Sequence, residues 1–170
     1  MSEKTLLEVE GLKKYFQVGK GQTLKAVDDI SFQIKKGQTL GLVGESGCGK
    51  STLGRTLIRM YEPTDGILTY DGHDITKTKG KELIAYHKRM QIIFQDPYSA
   101  LDPHQNVREI MAEPISVFEK LPEKEMDERI VSLLEKVGMK ADDMEKYAYE
   151  FSGGQRQRIG IARALSVNPE

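Results

Sequence analysis

The sequence is poor in two features, cysteine and long apolar runs. Cys48 is the single cysteine among 170 residues, so the chain has neither an internal disulfide framework nor a thiolate metal cluster. No run of about 18 apolar residues occurs, and the sequence therefore predicts no helix that spans a bilayer. Residues 1–10 are polar and of mixed charge, unlike a secretory signal. We expect any action at a membrane to depend on a partner.

The sequence also lacks an excess of charge of either sign. Its 25 basic residues nearly balance 26 acidic ones, for a formal net charge of −1. A general nucleic-acid binder usually carries a basic surface, so no nucleic-acid partner is expected. With 38% hydrophobic residues, the chain can bury the core of one domain and of a subdomain inserted into it.

Apolar residues in the first half of the chain follow the patterns of β-strands. We interpret residues 5–10, 23–34 and 67–70 as strands, the second of them because apolar and polar side chains alternate toward its end. The runs 39–43 and 90–94 are almost continuously apolar, which is typical of strands buried on both faces of a parallel sheet.

Helical patterns lie between and after these strands. We predict helices over about 50–61, 80–89 and 122–137, and a last helix after Phe151. In the third helix, apolar residues recur at spacings of three and four and share one face: Met126, Ile130, Leu133, Leu134 and Val137. Strands that alternate with helices indicate an α/β core.

A glycine-rich loop between a predicted strand and a predicted helix matches a phosphate-binding pattern. Residues 44–52, GESGCGKST, fit G-x-x-x-x-G-K-[ST]. Glycines let successive backbone amides point toward an anion, and the following helix adds its positive dipole end. A purely structural turn is the alternative. The predicted nucleotide-binding residues are Gly44, Glu45, Ser46, Gly47, Cys48, Gly49, Lys50, Ser51 and Thr52.

Two side chains of this loop carry specific chemistry. Lys50 can reach the terminal phosphates, and the Ser51 hydroxyl can coordinate Mg²⁺. Cys48 is interpreted as a small side chain that the loop tolerates; the alternative is a thiol whose oxidation would block nucleotide binding. By itself the loop indicates only a nucleoside triphosphatase or a kinase of the P-loop class, with Mg²⁺ as an expected ligand.

A second anion site is predicted where the last helix begins. Residues 151–155 read FSGGQ, in which Ser152 and Gln155 form a capping-box pattern. Between them, Gly153 and Gly154 let backbone amides approach a ligand closely. A serine hydroxyl, bare amides and a helix N-terminus together favour an anion.

The segment FSGGQRQRIGIARAL resembles the signature of ATP-binding-cassette (ABC) ATPases, usually written LSGGQ, with Phe151 in place of leucine. The resemblance implies that Ser152, Gly153, Gly154 and Gln155 cap the ATP bound by the phosphate loop of another subunit. It therefore implies a head-to-tail dimer of ATPase subunits, either a homodimer or a heterodimer. A small-molecule kinase would have no use for this second site.

Two more residues match motifs of the same family. Gln95, in QIIFQDP, resembles the glutamine that contacts Mg²⁺ or the attacking water, which implies a catalytic and metal-binding role. Phe16, in LKKYF, lies where the family places an aromatic ring that stacks on adenine; Tyr15 is adjacent, and the assignment to either stays open. Lys50 is the other catalytic residue that the resemblance implies.

The sequence outside the motifs is most similar to that of ATP-binding subunits of bacterial oligopeptide and dipeptide importers. The resemblance implies a subunit that couples ATP binding and hydrolysis to peptide transport. It also implies transmembrane permease partners and a place at the cytoplasmic face of the membrane, attached through them. A soluble, non-transport ABC ATPase shares these motifs and is the alternative.

The resemblance also predicts the fold class and the domains. We expect an α/β P-loop NTPase fold, an incomplete ABC-type nucleotide-binding domain with an inserted α-helical subdomain. Residues 1–95 form the β-rich and P-loop core, 96–151 the helical subdomain, and 152–170 the signature and its helix. The family's acidic pair and switch histidine follow the signature and are not among the 170 residues. We therefore expect these residues alone to bind nucleotide without hydrolysing it, and to be marginally stable.

Overall fold

Alternating apolar residues near the start of the chain form an antiparallel sheet. The structure is a computed structural model and describes residues 4–170. Within them four strands pair in the order β2-β1-β3-β4. Their bounds are Thr5–Gln17 for β1, Thr23–Lys35 for β2, Asp65–Tyr70 for β3 and His73–Asp74 for β4. The strands predicted over 23–34 and 67–70 are confirmed to within two residues, and the first strand extends seven residues past its predicted end.

The close approach of β1 and β3 depends on a glycine. Gly66 has a φ of 91°, and a Cβ at this position would lie 2.5 Å from the carbonyl oxygen of Gly11. Only glycine fits this combination of left-handed backbone and backbone contact. Behind the pairing, apolar side chains of the sheet and of the segment after it are buried, namely Val9, Leu12, Val27, Leu68, Tyr70 and Ile75.

Helix α1, Lys50–Leu57, is shorter than the predicted 50–61. It ends because Arg59 adopts a left-handed φ of 61° and turns the chain away. The Arg59 side chain is buried, and its Nε and Nη2 donate to the carbonyl oxygens of Ile75 (2.9 Å) and Thr78 (3.2 Å). Burial lowers the pKa of this guanidinium. The side chain thereby fastens the end of α1 to the segment that follows β4.

The prediction of strands over 39–43 and 90–94 is wrong. Both segments lack regular secondary structure, and Val43 is 94% exposed. A strand is stabilised by the hydrogen bonds of its neighbours, and within residues 4–170 no strand pairs with either run. The apolar composition of the two segments indicates that their side chains prefer to be buried, but it does not indicate which strand would pair with them.

The second half of the chain is mostly helical. After α2, Gly80–Arg89, come α3, Val107–Phe118, α4, Glu123–Lys136, and α5, Gly153–Leu165. The helices predicted over 80–89 and 122–137 are confirmed, and the predicted apolar face of the latter is buried except at Val137, which is partly buried. The core of this region consists of Leu101, Val107, Ile110, Met111, Ile115, Met126, Ile130, Leu133, Leu134, Met139, Ala148, Phe151, Ile159 and Ala162.

One guanidinium ties three segments of this helical core. Arg129 on α4 donates from Nη1 to the Glu119 carboxylate at the end of α3, at 2.6 Å. Its Nη2 donates to the carbonyl oxygen of Ser166 after α5, also at 2.6 Å. The hydrogen bond from Arg129 lowers the pKa of Glu119. Polar contacts thus complete the apolar packing at the ends of α3 and α5.

The chain divides into two compact units, Met1–Ala85 and Tyr86–Glu170, and the division falls within α2. The first unit contains the sheet and α1, and the second contains α3, α4 and α5. The three-part organisation predicted from the sequence, with boundaries after 95 and 151, stays a prediction.

The buried face of α4 leads to a stability prediction for the second unit. Leu134 is fully buried, so Leu134→Ala removes apolar contacts and leaves a cavity, and we expect the free energy of unfolding to fall by about 2–5 kcal/mol. Val117 is 59% exposed on α3, so Val117→Ala is the matched control, with an expected change within about 0.5 kcal/mol. Urea unfolding followed by circular dichroism measures both. Equal losses in the two variants would contradict the packing described here.

Candidate nucleotide-binding site

The phosphate loop is seated against the sheet of the first unit by a glycine. Gly49 has a φ of 97°, and a Cβ there would lie 2.1 Å from the carbonyl oxygen of Ala26 on β2. No L-residue with a side chain fits at this distance without moving the strand or the loop. Gly47 also has a positive φ, 82°, but the space around its missing side chain is open. The turn into α1 is therefore placed by its contact with β2.

The Lys50 ammonium lies within the curve of this loop. Its Nζ donates to the carbonyl oxygens of Gly44 at 2.7 Å and Glu45 at 2.5 Å, and it lies 3.5 Å from Cys48 Sγ. An ammonium has three donors, and these contacts account for all of them. The positive charge is thus held beside the backbone that the sequence predicts to surround phosphates.

The amides at the start of α1 add to this cationic environment. Gly49 is the N-cap of α1, and no side chain among the described residues caps the amides of the first turn. That turn also contains no acidic residue. The first amides of a helix have no partner within the helix, and they favour an anion. Ser51 is exposed in this turn, next to Lys50. The loop therefore offers backbone donors, a cation and a hydroxyl from consecutive residues.

The donor set at this site fits Mg²⁺ only as a shared ion. Among residues 4–170, no group of three or more His, Cys, Asp or Glu side chains could hold a metal. Mg²⁺ prefers oxygen ligands and is commonly held by one or two protein groups together with substrate phosphates. The exposed Ser51 hydroxyl is one such oxygen.

Phe16 lies on β1 in the same unit and pairs with a second aromatic ring. Its ring meets that of Tyr61 edge to face, with centroids 5.4 Å apart and an angle of 86°. Lys14 Nζ lies 4.9 Å from the Phe16 centroid and donates to the carbonyl oxygen of Glu62 at 2.9 Å. Sequence reasoning missed Tyr61 and Lys14, because neither belongs to a motif and both contacts form only on folding.

The neighbouring Tyr15 is engaged differently. Its hydroxyl donates to the Asp28 carboxylate, and this hydrogen bond raises the pKa of the Tyr15 phenol and lowers that of Asp28. Lys25 Nζ lies 5.2 Å from the Tyr15 ring centroid. Polar partners on β2 therefore hold Tyr15, whereas aromatic contact holds Phe16.

The signature residues form the start of α5 in the second unit. Gln155 N donates to Ser152 Oγ at 3.3 Å, and Ser152 N donates to Gln155 Oε1 at 3.0 Å, so the predicted capping box is confirmed. Because the Ser152 hydroxyl accepts in this bond, it keeps its own hydrogen for a further partner. Gly154 is exposed, with open space where a side chain would be. Phe151 is buried in the helical core.

Gln95 is exposed in an irregular segment of the second unit. In the turn that follows, Tyr98 N donates to Asp96 Oδ1 at 2.9 Å, which lowers the pKa of Asp96. Gln95 therefore belongs to the same unit as the signature, whereas Lys50, Ser51 and Phe16 belong to the first. The proposed roles of all these residues stay predictions.

The fold and the loop define the class of protein, a P-loop nucleotide-binding domain. The family model described as ABC transporter matches residues 27–170, so the chain belongs to the ABC transporter family. The family resemblance and the fold class predicted from the sequence are both confirmed. No described helix is long and apolar enough to cross a membrane.

Curated relatives of the chain are named as peptide-transport proteins. It is 52% identical over 172 residues to the oligopeptide transport ATP-binding protein OppF of Bacillus subtilis (strain 168), covering 100% of this chain and 56% of that protein. It is 47% identical over 170 residues to the dipeptide transport ATP-binding protein DppF of Haemophilus influenzae, covering 97% of this chain and 52% of that protein. The chain spans about half the length of the curated relatives it matches.

Solved structures share the fold. A bacterial ABC transporter cassette, MJ0796, solved as a dimer, matches with a TM-score of 0.87 at 24% identity, over 96% of this chain and 71% of that one. The structure of cbiO1 from Clostridium perfringens, described as part of the ABC transporter complex cbiONQ, matches with a TM-score of 0.76 at 28% identity, over 98% of this chain and 63% of that one.

The contact between Gly49 and β2 leads to a prediction for nucleotide binding. We expect Gly49→Ala to weaken Mg-ATP binding at least tenfold more than Gly47→Ala does. Both variants strain a left-handed residue by about 1–2 kcal/mol, but only the Gly49 variant drives a Cβ into the Ala26 carbonyl. Calorimetric titration of the complete protein measures both. Similar affinities for the two variants would show that the contact with Ala26 does not position the loop.

Proposed function

We propose that the protein containing this chain is the ATP-binding subunit of an ABC importer, and that it couples ATP binding and hydrolysis to uptake of oligopeptides or dipeptides. The observation that carries the ATPase proposal is the phosphate loop curved around Lys50 in a member of the ABC transporter family. The peptide substrate is supported by the names of relatives that are 47% and 52% identical over nearly the whole chain.

The first unit binds the nucleotide in this proposal. The Lys50 ammonium exchanges its loop carbonyls for terminal phosphate oxygens, and the first amides of α1 donate to the same phosphates. Ser51 would hold Mg²⁺, which would neutralise charge on the phosphates, and Phe16 would stack on the adenine ring. Gln95 belongs to the second unit, and its proposed contact with Mg²⁺ or the attacking water rests on the family resemblance alone. Catalysis of this kind rests on positioning and on charge neutralisation.

The second unit serves a neighbouring subunit. Ser152, Gly153, Gly154 and Gln155 cap the ATP bound by the opposing phosphate loop, in a head-to-tail homodimer or heterodimer. The proposal is supported by two helix N-termini of similar chemistry in one chain, each with a serine and without an acidic residue in the first turn. Two copies arranged in this way would enclose two nucleotides.

The membrane partners are transmembrane permease subunits. The proposed location is the cytoplasmic face of the membrane, where the ATPase is attached through them. The support is again that the relatives are named as transport ATP-binding proteins.

It stays a prediction that residues 1–170 alone bind nucleotide without turnover. Phosphate release, assayed side by side from these residues and from the complete protein, tests it.

Removal of the Lys50 charge tests the nucleotide site. We expect Lys50→Ala to weaken Mg-ATP binding by about 10- to 100-fold, because a hydrogen bond to a charged group contributes about 1.5–3 kcal/mol. Lys20→Ala is the matched control, since Lys20 is exposed in the same unit outside the loop. Titration calorimetry on the complete protein measures binding.

The transport proposal needs a separate measurement. The complete protein is reconstituted with its permease partners in vesicles, and uptake of a labelled peptide is followed with ATP present. We expect uptake to require ATP and to be lost with Lys50→Ala. ATP hydrolysis without peptide uptake would favour a soluble, non-transport ATPase, and absence of ATP binding would overturn the proposal as a whole.

A further inference from the structure

The segment that follows Gln95 lies against the start of α5 in the second unit. A Cβ added at Gly153 would lie 3.2 Å from Tyr98 Oη and 3.4 Å from Tyr98 Cε2. The tyrosine ring therefore rests directly on the first residue of α5. Tyr98 is nevertheless 60% exposed, so burial alone does not hold the ring in this position.

Arg156 holds the other side of this contact. Its guanidinium carbon lies 4.4 Å from the Tyr98 ring centroid, which is within the range of a cation–π interaction. Its Nε donates to the carbonyl oxygen of Phe151 at 3.0 Å, and its Nη2 donates to that of Tyr149 at 3.1 Å. One guanidinium thus joins the loop after Gln95, the segment before the signature, and α5 itself.

A second arginine of α5 fixes the same loop two residues further on. Arg163 Nη1 donates to the carbonyl oxygen of Ala100 at 2.9 Å, and burial lowers the pKa of this guanidinium. Between the two arginines, Gly160 lines a narrow space against Phe94 and Pro97. Contacts on both sides of Tyr98 therefore align the loop with α5.

We propose that Arg156 and Tyr98 are positioning residues that make the Gln95 loop and the signature residues 152–155 move as one body. The proposal rests on the proposed function, in which Gln95 acts at one nucleotide and the signature caps another. Because the Tyr98 ring touches Gly153 and the Arg156 guanidinium covers the ring, displacement of the loop displaces the helix N-terminus with it. Gln95 and the signature residues thereby keep a fixed spacing during turnover.

The contact geometry defines which substitutions break the link. Tyr98→Phe keeps the ring face that the guanidinium covers, whereas Tyr98→Leu removes it. Arg156→Gln removes the cation and the paired hydrogen bonds to Tyr149 and Phe151. Tyr147 is an exposed tyrosine of the same unit that stacks on Tyr149, so Tyr147→Leu is the matched control for loss of a ring.

The experiment measures Mg-ATP binding, kcat, KM and melting temperature for the complete protein assembled with its permease partners. We expect Tyr98→Leu and Arg156→Gln each to lower kcat about tenfold while the dissociation constant for Mg-ATP changes less than twofold. Tyr98→Phe and Tyr147→Leu should retain kcat within about twofold. Because the two residues act through one contact, the double variant Tyr98→Leu/Arg156→Gln should be no slower than either single variant.

Arg158→Gln reports on stability alone. Arg158 donates to the carbonyl oxygen of Val137 at 2.7 Å and lies on the same helix, so this variant removes a guanidinium hydrogen bond without touching Tyr98. We expect it to lower the melting temperature and to leave kcat within about twofold.

Three results would overturn the inference. They are unchanged kcat in the Tyr98 and Arg156 variants, a fall in kcat that matches the fall in melting temperature across all variants, and multiplicative effects in the double variant. Failure of the proposed function is recognised separately, because the unsubstituted protein would then neither bind nor hydrolyse ATP.

Discussion

The phosphate loop depends on the close approach of Gly49 to strand β2. The Ala26 carbonyl oxygen occupies the space that a side chain at residue 49 would need, so the loop is seated on the sheet at this point. Val27, the next residue of β2, is buried in the core of the sheet, and hydrophobic packing therefore determines where the loop begins its turn. At the other end of α1, buried Arg59 fastens the helix to residues 75–78. A helix held at both ends can aim its N-terminal amides in a constant direction, as anion binding requires.

The second unit applies the same physical rule to a different helix. Phe151 is buried, Ser152 is exposed, and Ile159 further along α5 is buried again. The apolar residues lock the helix into the core of α3 and α4, while the capping box keeps its first turn open toward solvent. The two helix N-termini differ in how they attract an anion, because α1 has a lysine ammonium beside it and α5 has a serine hydroxyl. Both chemistries suit an anion such as the phosphates of a nucleotide.

Sequence reasoning succeeded where the structure depends on residues close together in the chain. The start of a helix at Lys50, the capping box of Ser152 and Gln155 and the buried face of α4 are all determined by local spacing, and all three are confirmed. Contacts between distant segments were out of reach. Nothing in the composition near Phe16 indicated Tyr61 as its neighbour, and nothing near Gln95 indicated Arg156.

The strands predicted over 39–43 and 90–94 failed for a related reason. An apolar run reports that side chains prefer to be buried, but a strand also needs a partner for its backbone hydrogen bonds. Within residues 4–170 neither run has one. Pairing between strands is a property of the whole sheet, and periodicity within one segment cannot supply it.

The two ends of the phosphate loop are consequently held in different ways. Gly49 rests on β2, whereas the carbonyl oxygen of Gly44 accepts from Lys50 and follows a run in which Val43 is almost fully exposed. In the proposed function, a nucleotide that takes over the donors of Lys50 would release the Gly44 end and order the amides between the two glycines. Part of the binding free energy is then spent on ordering this end of the loop. We therefore expect affinity at this site to depend on how residues 39–43 are held as well as on the loop itself.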